Sequence, residues 1–131
     1  MPFNHKIHKE GEIVIVKAIG IIEINSTLEA IANVIKDPEF SPHFQIIVDL
    51  RKIQYNPSIV DIFKIKDSLN SKMKMLQGTI TLVTTPAFSH LTKLVCIMTS
   101  VYNIKMYAVT ESTLLDEYDA IDTSVLREQN L

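Results

Sequence analysis

The chain has a single cysteine, Cys96, so no disulfide can close within it, and stapled secreted scaffolds are excluded as a class. Glycine is scarce: Gly11, Gly20 and Gly78 stand too far apart to form a phosphate-cradling loop, which removes the common nucleotide motifs. A formal net charge of −2 lacks the concentrated excess of Lys and Arg that nucleic-acid binding calls for. Long apolar runs are also missing. Met1 to Glu12 carries none, so no signal peptide is expected. The most apolar stretch, Ile13 to Ile24, is interrupted by Lys17, Gly20 and Glu23, which argues against a membrane span of about 20 residues. The expected location is the cytoplasm.

Catalytic constellations are equally sparse. His5 and His8 are three apart on an expected strand, where odd spacing points side chains to opposite faces, so they cannot share a metal. His43 and His90 have no Cys or carboxylate at ligand spacing. Cys96 is expected mid-helix, facing away from the apolar stripe, with no basic neighbour to activate a thiolate. Ser58, His90 and Asp49 supply the residue types of a triad, but Asn56-Pro57-Ser58 does not spell the strained elbow a nucleophile needs. The expectation is a protein that is not an enzyme and holds no metal or cofactor.

What is present suits one domain over residues 1–131, since 47% hydrophobic and 21% charged residues are close to globular averages. His5 to Lys9 and the β-branched run from Ile13 read as a hairpin turned at Glu10-Gly11, where glycine tolerates positive φ. Asn25, Ser26 and Thr27 offer N-caps for a helix whose Leu28, Ile31, Ala32 and Ile35 recur at helical spacing before Asp37-Pro38 stops it. Gln45 to Leu50, Thr79 to Val83 and Ile104 to Val109 are short apolar runs, the mark of strands covered on both faces. Helices are expected from Asn56-Pro57 to Gly78, from Pro86 to Tyr102 and from Leu114 to Arg127. The order β-β-α-β-α-β-α-β-α implies an α/β fold: a mixed, mostly parallel sheet of four to five strands with about four helices.

Charge is uneven along the chain. Leu50 to Thr110 holds eight basic residues against two acids, while Glu111 to Leu131 holds six acids against Arg127. The simplest reading is a set of basic helix faces and an acidic, solvated last helix. In sheets of this kind ligands meet the carboxyl ends of the strands. Those ends are Asp49-Leu50-Arg51 with the loop to Ser58, Thr84-Thr85-Pro86 and Thr110-Glu111, a rim that offers Asp49, Arg51, Asn56, Ser58, Thr84 and Thr85 as candidate binding residues, with helix capping as the plainer role of the hydroxyls.

The strand order, the step at Gly20-Ile21-Ile22 and above all Ile46-Ile47-Val48-Asp49-Leu50 resemble the STAS fold, which anti-sigma factor antagonists share with SpoIIAA-like bacterial proteins. The likeness extends over nearly the whole chain. It implies a regulatory, protein-interacting domain whose partner surface includes the start of the helix after the Asp-Leu strand. In antagonists that helix begins Asp-Ser-Ser/Thr-Gly and carries a phosphorylated hydroxyl. Here the motif falls on Pro57-Ser58-Ile59-Val60, which keeps one serine, Ser58, as the expected phosphorylation site and lacks the acid, the second hydroxyl and the glycine. The closer match is to the SpoIIAA-like group. The functional expectation is a protein–protein interaction module; the alternative is a binder of lipid or another small apolar ligand, suggested by Met73, Met75, Met98 and Met106 and the wide apolar stripe of the third helix. That same stripe would also serve as a homodimer face.

Overall fold

The structure, a computed structural model, describes residues 3–21, 24–54, 76–89, 93, 96 and 105–120. Strands β1 (Phe3–His8) and β2 (Ile13–Gly20) are followed by helix α1 (Ile24–Lys36), β3 (Gln45–Ile53), β4 (Ile80–Val83), a 3-10 turn (Pro86–Phe88) and β5 (Met106–Val109). A closing helix occupies residues 113–120. The strands form one mixed five-stranded sheet in the order β1-β2-β3-β4-β5. β1 runs antiparallel to β2, and the other three pairings are parallel. The class is α/β. The helix expected from Asn56 lies outside the described residues, as do most of the helix expected from Pro86 and the chain beyond 120.

Several boundaries differ from the sequence reading. β1 begins at Phe3, and β2 stops at Gly20, not near Ile24. Gly20 has φ +83°, a left-handed conformation that glycine adopts freely, and its register shift against β3 lies between Lys17 and Ile19. Pairing resumes as Ile19 with Lys52 and Gly20 with Ile53, which carries β3 three residues beyond Leu50. Because α1 already opens at Ile24, positions 25–27 fall inside its first turn and do not precede it as caps. In the hairpin the positive φ belongs to Glu12 (φ 53°), not Gly11. Gly11 meets a different constraint: a Cβ there would fall on the Tyr118 hydroxyl and push that side chain aside, because the closing helix comes down on the hairpin turn.

Alternation along the strands divides the interior into two layers. Val14 and Val16 of β2, Ile46 of β3, Ile80 and Leu82 of β4 and Met106 of β5 join Val34 and Phe44 in the larger cluster, with Ile31 of α1 packed against it. Ile13, Ile15, Ile47 and Val83 face the other way, onto Leu115 of the closing helix, which is fully buried. Cys96, expected to face away from the apolar stripe, is instead half-buried against the larger cluster, and burial pushes its thiol pKa up. The acidic last helix is likewise no merely solvated face, because Leu115 anchors it and its aspartates reach cations on the sheet. Among the described residues no helix is long and apolar enough to cross a membrane.

Candidate binding rim

At the end of β3 the period-two alternation puts Asp49 and Arg51 on the face that the closing helix covers, and pairing sets Lys17 of β2 beside Asp49. Asp49 is buried at 6% exposure and accepts two side-chain bonds from Arg51, Nε to Oδ1 at 2.9 Å and an Nη to Oδ2 at 3.0 Å. The Arg51 backbone N–H donates to the same carboxylate at 3.1 Å. Burial alone would raise the Asp49 pKa; the Arg51 hydrogen bonds and the charges of Arg51 and Lys17 outweigh it, and the carboxyl titrates below its ordinary value. Arg51 is raised in turn, first by its bonds to Asp49, although its own burial opposes the shift.

From the closing helix Asp116 and Asp119 approach Arg51 at 3.9 and 3.7 Å, and Asp119 also pairs with Lys17. Three carboxylates thus share two cations at one junction of β2, β3 and helix. Ser112 starts that helix: its Oγ accepts the Leu115 N–H at 3.2 Å and its carbonyl the Asp116 N–H at 3.1 Å. Tyr118, one turn on from Leu114, lies against His8 with ring centroids 4.3 Å apart.

The ends of β4 and β5 are built differently. Thr84 is buried at 1% exposure, and its N–H donates to the Val109 carbonyl at 2.9 Å. Thr85 is the N-cap residue of the 3-10 turn, yet its side chain makes no capping bond. Beyond it Pro86, Ser89 and Lys93 face Val109, Thr110 and Glu111 across a shallow cleft of about 420 Å³ that Thr84 also lines. The structure therefore brings Asp49 to Arg51 and Thr84 to the cleft, and leaves the two pairs doing separate things. Asn56 and Ser58 lie outside the described residues.

Sequence reasoning placed Thr110 and Glu111 on the rim but missed Lys17, Asp116 and Asp119 at the β3 junction and Ser89 and Lys93 at the cleft. A signal existed for the first group: a lone lysine in a β-branched strand and aspartates three apart on a helix both ask for partners. A second groove of about 220 Å³ lies between β1 and α1, lined by Phe3, His5, Val16, Glu29 and Asn33 among others. At the far end of α1, His5 meets Asp37 at 2.9 Å. No three or more His, Cys, Asp or Glu among the described residues are grouped to hold a metal. Neither family models nor curated proteins match the chain.

Proposed function

We propose that the protein is a non-catalytic binding domain that engages a protein partner through the cleft at the ends of β4 and β5. The observation that carries this reading is the unequal rim: the charges at β3 are spent on one another, while Thr84, Ser89, Lys93, Thr110 and Glu111 line an open space. An open cleft with hydroxyls, one cation and one carboxylate suits a loop or side chain of another protein, whereas an acyl chain calls for an enclosed apolar cavity. In this reading Asp49 and Arg51 hold the closing helix, the buried Thr84 lines the cleft, and Thr85, which does not line it, stands outside the contact surface. Ser58 is the regulatory element. A phosphate there would bring nearly two negative charges to the expected helix start and recruit or expel the partner.

The test is native mass spectrometry on protein purified gently from its own cells, with Lys93→Glu and Thr85→Ala alongside the parent chain. A protein partner at fixed stoichiometry, lost with Lys93→Glu and kept with Thr85→Ala, is the expected result. A lipid-sized adduct that leaves on denaturation would replace this reading with the apolar-ligand one.

A further inference from the structure

One face of α1 buries Val34 in the larger core cluster, with Ile31 packed against it. A different face turns toward β1. Ser26, Glu29, Ala30 and Asn33 recur there at helical spacing, and none is a large apolar residue. Because that face carries small or polar side chains, the helix does not close on the strand, and a groove of about 220 Å³ stays open between them. Its floor is apolar. Val16, buried at 6% exposure and paired with His5 across β2 and β1, lies there beside Phe3.

The charge at the groove is of one sign. His5 is taken up by Asp37 at 2.9 Å, and that bond holds the Asp37 carboxyl below its ordinary value. Glu29 is exposed and makes no ion pair among the described residues. Among those residues no lysine or arginine lines the groove. Asn33 lies one turn beyond Glu29, and Asp37 follows just past the end of α1. Acceptors therefore run toward the helix C-terminus, where the backbone dipole favours a cation.

We propose that this groove binds a small organic cation, a primary amine with an apolar body. Its ammonium sits on Glu29 and Asn33, and its body lies against Phe3, Val16 and Ala30. An ammonium offers three donors and no acceptor, which matches a carboxylate beside an amide oxygen. An anion would meet Glu29 with only His5 to balance it, and His5 is already held by Asp37. Size limits the body. The groove has room for about seven waters at about 30 Å³ each, and it falls below the roughly 300 Å³ at which pockets for drug-sized ligands begin. The groove adjoins β1, at the opposite edge of the sheet from β5, so this site stands whether or not the cleft takes a partner.

NMR titration of the full chain tests the site, with phenethylamine and pentylamine as probes and hydrocinnamate as an anion of similar shape. Saturable shifts at Phe3, Val16 and Ala30 are expected with the amines and not with the anion. Glu29→Gln keeps the shape and removes the charge. As an exposed substitution it should leave the fold intact and weaken amine binding about tenfold, the loss of one charged hydrogen bond. Ala30→Leu keeps a good helix former and fills the groove, so binding should be lost with an unchanged far-UV spectrum. If Ala30→Leu misfolds, Glu29→Gln decides. A chain that neither amine saturates in the millimolar range overturns the proposal, as does equal binding of hydrocinnamate or an amine affinity indifferent to Glu29→Gln.

Discussion

At the end of β3 a buried carboxylate and two helix aspartates share a guanidinium and a lysine within a few ångströms. At the ends of β4 and β5, the next two strands of the sheet, hydroxyls and a single opposed charge pair line an open cleft. Both lie where an α/β sheet usually meets its ligands. The difference shows that residue type at a strand end does not by itself mark a binding group. Asp49 and Arg51 are the most chemically suggestive residues of the rim, and they are the most fully engaged in holding the fold.

The comparison breaks most readily at the helix that closes the charged end. Leu115→Ala should cost about 3 kcal/mol in urea unfolding, because a fully buried leucine is lost from the smaller layer. Arg51→Ala should cost about 2 kcal/mol by the same measurement, since it leaves the buried Asp49 carboxylate with its strongest donor gone. Replacing both Asp49 and Arg51 with alanine should cost less than the two single changes together.

The acid limb sharpens the contrast further. The folded-state pKa of Asp49 is depressed, so its contribution is fully present above the ordinary aspartate value of about 3.9 and is lost as pH falls through the lower folded value. Stability measured down that range should fall in the parent chain and flatten in Asp49→Asn. At the cleft the expected effects are small: Thr85→Ala should stay within about 0.5 kcal/mol of the parent, since its side chain makes no capping bond. A large loss there would put structural weight on the wrong half of the rim.

The sheet was legible because its strands are short, apolar and β-branched, and because the helical spacing of α1 and the stop at Asp37-Pro38 fix what lies between them. Boundaries were less so. β3 extends through Arg51-Lys52-Ile53 only because β2 offers partners beyond a register shift, which is a property of two strands and is invisible in one. The role of Gly11 was misread for a similar reason, since what a Cβ there would meet is the Tyr118 side chain, over a hundred residues away along the chain. Rim membership followed from strand ends, but the division between Asp49 with Arg51 and Thr84 with Ser89 depends on where the closing helix lands. Nothing local to residues 49–51 announces Asp116 and Asp119. Cys96 was turned the wrong way because a wide apolar stripe has ill-defined borders, and packing against the sheet settles which border is buried.

In the proposed function the cleft, and not the charged end of β3, is the partner surface. Photo-crosslinking in the protein's own cells tests it most directly, with the reactive side chain placed at Ser89 in the cleft or at exposed Lys52 near the end of β3. One discrete protein adduct that Lys93→Glu abolishes is expected from position 89, and none from position 52. An adduct from position 52 with none from position 89 would contradict it.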